Sequence, residues 1–166
     1  MYQCTYNKGN DGDVTCPSPR SEHKNFSKLA PELDAMVRAL GSAAALYGLD
    51  KQLLELVKIR ASQINGCAFC VQYHIILAEG LDVPKAKLDL LAVWREAPVY
   101  SVRERAALVW TEALTSVANG VSDDVYAEAS AEFSETELLY LSSAIAGINV
   151  WNRFGAAYRW TPPARK

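Results

Sequence analysis

Apolar residues along this chain recur every three or four positions, which is the spacing of one face of an α-helix. The pattern begins at Phe26 and continues past Trp151 towards the C-terminal end. No segment alternates apolar and polar residues for long enough to predict a β-strand. The sequence therefore predicts a compact all-α domain of about six to seven helices, spanning residues 25–166.

Turn and capping residues divide this pattern into individual helices. Ser101-Val-Arg-Glu104 and Ser134-Glu-Thr-Glu137 match the capping box, in which a serine and a glutamate satisfy free backbone N–H groups at a helix start. Asn65-Gly66 predicts a tight turn between two helices, and Gly41 or Gly48 could end or bend the first helix. The predicted helices begin near Phe26, Leu53, Cys67, Pro84, Ser101, Ser122 and Ser134.

Residues 1–24 lack the periodic pattern and are rich in Gly, Asn, Asp, Ser and Pro. We predict that they form a mobile extension outside the helical domain. We interpret its two cysteines, Cys4 and Cys16, as incidental exposed thiols. The extension has no apolar stretch of the kind found in secretion signals, which favours a cytoplasmic location.

Composition excludes several classes of partner. Half of the 166 residues are hydrophobic, 22% are charged, and the formal net charge is −2. This balance provides no general attraction to nucleic acid or to anionic membranes. No stretch approaches the ~20 apolar residues that a membrane-spanning helix needs. We therefore expect neither a nucleic-acid nor a membrane partner.

Two cysteines and a histidine lie within eight residues, at Cys67, Cys70 and His74. On a helix these positions fall within roughly 60° of one another, and Cys70 and His74 are an i, i+4 pair. A helix N-terminus and a nearby imidazole both favour the thiolate, which is the form that attacks peroxides and disulfides. The spacing predicts a redox site with a nucleophile, a second thiol to capture its oxidised form, and a base.

Other interpretations of these residues remain open. The two cysteines and His74 could bind zinc with Cys4, Cys16 or His23, although structural zinc sites usually draw ligand pairs from separate turns. The thiols could also be buried and inert, and His74 could be a hydrogen-bonded core histidine.

Glu55 precedes Cys67 with eleven residues between them. If the helices on either side of Asn65-Gly66 form an antiparallel hairpin, this carboxylate returns over the cysteine–histidine segment. It could then orient His74 or accept its proton, as a third group does in many nucleophile–base sets. The alternative is a solvated charge on a helix surface.

The spacing Glu-x11-Cys-x2-Cys-x3-His resembles the active-site motif of the alkylhydroperoxidase D-like family, a branch of the carboxymuconolactone decarboxylase superfamily of all-helical proteins. The resemblance covers roughly Phe26 to Tyr158. Besides the four motif residues, it rests on the segments 55–67, 103–108 and 148–153.

The resemblance implies a thiol-dependent peroxidase that needs no cofactor or metal. By analogy, Cys70 would attack the hydroperoxide, His74 would activate it, and Glu55 would relay protons. Cys67 would condense with the sulfenic acid on Cys70, and an external dithiol or redox protein would reduce the disulfide. Phe69 stands where some family members have a histidine, which removes one candidate proton donor.

Two other functions remain possible: a non-enzymatic redox sensor or scaffold, and a carboxymuconolactone decarboxylase-like activity that uses His74 and Glu55 without the thiols. Family members form trimers or hexamers, so we expect a homo-oligomer. We predict that the C-terminal helix and the residues after it build its interface. The candidate interface residues are Asn149, Trp151, Asn152, Arg153, Tyr158, Arg159 and Trp160.

Overall fold

The computed structural model describes residues 4–6 and 14–165, and these residues confirm the all-α prediction. They form eight α-helices, two 3₁₀ turns (Leu91–Glu96 and Val117–Asn119) and one short ladder of two strands. The strands are β1 (Thr5–Tyr6) and β2 (Val14–Thr15). The helices are α1 (His23–Leu29), α2 (Pro31–Tyr47), α3 (Lys51–Ile64), α4 (Ala68–Gly80), α5 (Lys85–Leu90), α6 (Val102–Thr115), α7 (Asp123–Glu132) and α8 (Glu135–Tyr158).

Both predicted capping boxes are present. At the start of α6, Glu104 N donates to Ser101 Oγ and Ser101 N donates to Glu104 Oε2. Ser134 and Glu137 make the same reciprocal pair at the start of α8. Each box satisfies two N–H groups that a helix start leaves without an intrahelical partner. The local sequence therefore fixes where these two helices begin.

The first predicted helix is divided into α1 and α2. The break falls at Ala30, because proline disfavours helical backbone angles in the residue before it and itself fits the first helical position. Gly41 does not interrupt α2, which continues to Tyr47 and ends at Gly48 with φ +112°. His23, the first residue of α1, lies inside the segment that we assigned to the extension.

The long helix α8 packs against α2, α3, α4 and α6. It lies close to α2 at Gly147, where an added Cβ would be 2.9 Å from Gly41 Cα. The core has three parts. The largest lies among α2, α3, α6, α7 and α8, a second lies among α3, α4, α6 and the 3₁₀ turn after α5, and the smallest contains Cys67, Cys70, Ala61 and Ile148.

The two N-terminal cysteines form a disulfide, so our interpretation of them as incidental free thiols is wrong. β1 and β2 pair antiparallel with Thr5 opposite Thr15, which places Cys4 and Cys16 next to each other at the end of the ladder. Their Cα atoms are 4.1 Å apart. Residues 1–3 and 7–13 of the predicted mobile extension lie outside the described residues. No helix in the described ranges has the length and apolarity that a membrane crossing requires.

Candidate active site

The turn at Asn65-Gly66 folds α3 and α4 into the hairpin that the Glu55 prediction required. Gly66 adopts φ +65°, a left-handed conformation that glycine accepts without steric cost. Glu55 on α3 and His74 on α4 meet across this hairpin, with Glu55 Oε2 2.6 Å from His74 Nδ1. Both side chains are buried. The structure therefore contains the predicted carboxylate–imidazole contact, and Glu55 is not a solvated surface charge.

Lys58 completes this buried group, and our sequence reasoning did not assign it to the site. Its Nζ donates to Glu55 Oε1 at 2.8 Å, so each oxygen of the carboxylate has its own partner. The i, i+3 spacing of Glu55 and Lys58 was the available signal, but such pairs are common on exposed helix faces. Here the pair lies against the buried side of the hairpin.

The charges of Glu55 and His74 follow from their surroundings. Burial raises the pKa of Glu55, but its hydrogen bond to His74 and the charge of Lys58 outweigh that effect and lower it. Burial lowers the pKa of His74 by more than Glu55 raises it. At neutral pH the site therefore holds a carboxylate and a neutral imidazole. Because His74 Nδ1–H donates to Glu55, the other ring nitrogen, Nε2, carries the free lone pair.

The two active-site sulfurs lie 2.7 Å apart and share a hydrogen bond. Cys67 is the N-cap of α4, and its Sγ also accepts the backbone N–H of Cys70 at 3.4 Å. The hydrogen bond from Cys70 lowers the pKa of Cys67, whereas the same interaction, together with burial, raises the pKa of Cys70. We expected the helix start and His74 to favour the thiolate at Cys70, but Cys67 is the thiol whose pKa is lowered, by its hydrogen bonds with the Cys70 thiol and the Cys70 backbone N–H.

Asn152 of helix α8 lies next to the two cysteines. Asn152, only 1% exposed, donates to Ser62 Oγ and accepts from Asn65 Nδ2, both at 2.9 Å. Its amide also lowers the pKa of both cysteines. Our assignment of Asn152 to an oligomer contact is therefore wrong, because its amide is bonded inside one protomer. The sequence gives no direct signal for this role, since Asn152 lies more than 80 residues from the cysteines.

Gly155, one turn after Asn152, leaves room for the cysteines. A Cβ at this position would lie 2.6 Å from Cys67 Sγ and 3.4 Å from Cys70 Sγ.

We expect Gly155→Ala to lower the free energy of unfolding by about 1–3 kcal/mol, because the sulfurs and helix must move apart. Urea denaturation measures this change. Gly80→Ala is the control, since no atom lies within 4 Å of its added Cβ; equal stability of the two variants would contradict the prediction.

Cys70 and His74 line a cavity of about 350 Å³ between α2, α4 and α8. Residues from α2, aromatic side chains and His23 of α1 complete its wall. Cys67, which is only 2% exposed, borders a second and more open groove with Gly66, Gln72 and Pro162. The two sulfurs are therefore in contact with each other but border different spaces.

Nothing in the described residues supports the alternative of a zinc site. Cys4 and Cys16, two of the candidate ligands, are bonded to each other. His23, the third, lies among aromatic rings near Phe69 and Trp160. Within residues 4–6 and 14–165, no three His, Cys, Asp or Glu side chains come together as a metal-binding group.

Comparison with known proteins identifies the family. The model of the carboxymuconolactone decarboxylase family matches residues 31–113, half of the 166-residue chain. The chain belongs to the carboxymuconolactone decarboxylase family. It is similar to the uncharacterized protein YdfG of Bacillus subtilis, with 30% identity over 138 residues, or 82% of this chain and 94% of YdfG. The uncharacterized protein YnjA of Escherichia coli is 31% identical over 109 residues, which cover 66% of this chain and 60% of YnjA.

Solved structures place this family member among the alkylhydroperoxidase D-like folds. ATU0492 of Agrobacterium tumefaciens, a protein of unknown function provisionally assigned to antioxidant defence as an AhpD protein, is 38% identical. It superposes with a TM-score of 0.83 over 89% of this chain and all of that chain. The debrominase Bmp8 has a TM-score of 0.75 at 20% identity, over 82% of this chain and 74% of its own. Bmp8 thus shares the fold, and the comparisons confirm the predicted family.

Proposed function

We propose that this family member is a thiol-dependent peroxidase that reduces organic hydroperoxides, with Cys70, Cys67, His74 and Glu55 as its catalytic group. One observation carries the proposal. The two sulfurs lie 2.7 Å apart at the start of the helix that carries His74, His74 is hydrogen-bonded to Glu55, and Cys70 and His74 border the same cavity. These are the parts that peroxide reduction by a dithiol requires: a nucleophile, a base and a resolving thiol.

In the first step, His74 Nε2 takes the proton of the Cys70 thiol, and the sulfur attacks one oxygen of the hydroperoxide. The O–O bond breaks, and the leaving alkoxide receives a proton from the imidazolium. Cys70 becomes a sulfenic acid, and the hydroperoxide is reduced to an alcohol. Glu55 is the positioning residue: its hydrogen bond holds the His74 ring and stabilises the positive charge that forms during the transfer.

In the second step, the Cys67 thiolate attacks the sulfur of the Cys70 sulfenic acid. A disulfide forms, and hydroxide leaves and takes up a proton to become water. The 2.7 Å separation of the sulfurs supports this step because they need little movement to bond. The backbone N–H of Cys70, which bonds Cys67 Sγ and helps to lower its pKa, also suits a resolving thiol, since a lower pKa favours the attacking thiolate.

In the third step, an external dithiol or redox protein restores the two thiols. Its thiolate attacks Cys67, which borders the open groove, and Cys70 leaves as the displaced thiolate. The second thiol of the reductant then attacks the mixed disulfide and releases Cys67. Over the cycle, one hydroperoxide and one dithiol give an alcohol, water and an oxidised reductant.

Counting free thiols before and after one equivalent of cumene hydroperoxide tests the proposal. Because Cys4 and Cys16 are already bonded, the untreated chain should show two reactive thiols and the treated chain none. Dithiothreitol should restore both and support many turnovers. A redox sensor would lose the thiols without rapid turnover, and a lactone decarboxylase would act with the thiols blocked. Either result would contradict the peroxidase proposal.

We also propose that the active form is a homo-oligomer, a trimer or a hexamer, and that α1 and α2 contribute to its interface. Trp160, which we assigned to the interface, packs inside the protomer and is 4% exposed. Helices α1 and α2 instead expose Leu29, Met36 and Leu46, at 80%, 68% and 84%. Large apolar side chains at such exposure are typical of surfaces that another copy covers.

Light scattering after size exclusion should give a multiple of the 18.2 kDa protomer. Replacing Leu29 and Met36 by glutamate should release the protomer, because charges would replace the apolar contacts at the centre of the interface. The matched control is Val102→Glu on α6, which is 69% exposed and belongs to neither α1 nor α2. A stable monomer of the unmodified chain at micromolar concentration would refute the oligomer.

A further inference from the structure

The segment before α1 is attached to the end of α8. Arg20 N donates to Tyr158 O at 2.9 Å, and Arg20 Nη1 donates to Ala157 O at 3.1 Å. Beyond the helix, Thr161 Oγ1 donates to Glu22 Oε1 at 3.0 Å. These bonds hold the start of α1 in place beside the active site. His23, the first residue of that helix, therefore has a defined position.

The His23 imidazole forms part of the cavity wall shared by Cys70 and His74. Its ring centroid lies 4.8 Å from that of Phe69 and 4.8 Å from that of Trp160. Phe69 directly precedes Cys70, so the imidazole is held close to the proposed nucleophile. Within the described ranges the His23 ring nitrogens make no hydrogen bond to the protein, and they are free to bond a molecule in the cavity.

The charge state of His23 follows from its surroundings. Burial lowers its pKa, the positive charge of Arg38 lowers it further, and Asp34 opposes both effects only weakly. The imidazole is therefore neutral at pH 7 and offers one N–H donor and one acceptor. A hydroperoxide group can use both, since its terminal O–H donates and its oxygens accept.

The size and lining of the cavity point to the rest of the ligand. Its volume of about 350 Å³ is roughly ten times the ~30 Å³ that one water molecule occupies, so hydrogen peroxide would leave most of it unfilled. Phe69, Trp151 and Trp160 line it with aromatic faces. Aromatic rings gain from offset or edge-to-face contact with another ring, beyond the area that they bury.

We propose that His23 is a substrate-contacting residue, and that the cavity takes an aryl-alkyl hydroperoxide whose ring lies against Phe69, Trp151 and Trp160 while His23 hydrogen-bonds the peroxide oxygens. The substrate class rests on the proposed peroxidase function, but the contact with an aryl-alkyl ligand does not. The N-terminal segment thus completes the active site.

The test uses two variants of His23 and one control. His23→Phe keeps an aromatic ring and removes both hydrogen-bonding nitrogens, and His23→Gln keeps a donor and an acceptor and removes the ring. Lys24→Ala changes the exposed neighbour and should behave as the unmodified protein. Far-ultraviolet circular dichroism checks that each variant is folded.

The first measurement is the affinity for 2-phenyl-2-propanol, the unreactive alcohol product of cumene hydroperoxide, followed by tryptophan fluorescence. We expect His23→Phe to weaken binding about tenfold, which is the effect of one lost hydrogen bond, and His23→Gln to weaken it less. The second measurement is kcat/KM, which should fall by a similar factor for cumene hydroperoxide. The unmodified enzyme should prefer this substrate to hydrogen peroxide.

The outcomes separate the two proposals. One outcome is that the protein binds the alcohol, that His23→Phe lowers this affinity, and that no hydroperoxide is consumed. In that case the His23 contact is supported and the peroxidase function is excluded. If hydroperoxides are consumed but His23→Phe binds and reacts like Lys24→Ala, the His23 proposal is overturned. Should His23→Phe fail to fold, His23→Ala replaces it, and binding and kcat/KM equal to those of Lys24→Ala would overturn the proposal as well.

Discussion

Cys70→Ser should abolish hydroperoxide consumption, whereas Cys67→Ser should allow a single turnover that leaves a sulfenic acid on Cys70. The two thiols differ in which cavity they border, and we base their roles on this position rather than on their pKa values. Cys70 shares the cavity with His74, whereas Cys67 borders the separate open groove. Without Cys70 no sulfur faces the substrate. Without Cys67 the sulfenic acid forms, but no thiol lies 2.7 Å away to capture it.

Mass spectrometry of each variant after one equivalent of cumene hydroperoxide measures this difference. Cys67→Ser should gain one oxygen on Cys70, and a dimedone adduct would identify it as the sulfenic acid. Cys70→Ser should be unmodified, and its steady-state rate should fall to the rate of free dithiothreitol. The lowered pKa of Cys67 makes the opposite result worth measuring. Sulfenic acid on Cys67 in an active Cys70→Ser enzyme would exchange the two assigned roles.

The parts of the structure that local sequence determines could be predicted well. Capping boxes at Ser101 and Ser134 place two helix starts because the relevant bonds join residues three apart. Asn65-Gly66 predicted the hairpin, and the hairpin places Glu55 against His74. The break at Pro31 was also readable from the sequence, since proline restricts the residue before it, but the apolar pattern continues through it.

Features that depend on distant packing could not be predicted. The Cys4–Cys16 bond requires the register of a two-strand ladder, and a period-two pattern cannot show strands of two residues. Asn152 and Gly155 reach the cysteines only because α8 packs against the α3–α4 hairpin. Similarly, His23 belongs to the site because the preceding segment bonds to the end of α8.

The difference in pKa between the two cysteines also could not be predicted from the sequence. Sequence spacing correctly put an imidazole on the same helix as Cys70, but the pKa of each thiol depends on which sulfur receives donors. Cys67 accepts the free N–H of Cys70 because the N-cap position directs its sulfur at that group. As a result the pKa of Cys67 is lowered and that of Cys70 is raised, while Cys70 borders the cavity that we propose for the substrate.

Glu55→Gln should slow the reaction with hydroperoxide about a hundredfold while the protein remains folded. The amide is nearly isosteric and can still accept from His74 Nδ1–H, so the ring keeps its position. It carries no charge, however, and cannot stabilise the imidazolium that forms when His74 takes the proton from Cys70. Lys58 would lose its counter-ion at the same time, and its positive charge would oppose that imidazolium further.

The pH dependence distinguishes this charge effect from a structural one. Burial already lowers the pKa of His74, so the neutral base persists as pH falls, and the acid limb of kcat/KM should lie below pH 6.5. Glu55 is the group that raises this pKa, and removing its charge should move the acid limb to still lower pH while the plateau drops. A merely structural defect would lower the plateau without moving the limb. Glu79→Gln, which removes an exposed carboxylate from the same helix as His74, should leave both unchanged. A Glu55→Gln enzyme with the unmodified rate and acid limb would exclude the carboxylate from the proton transfer.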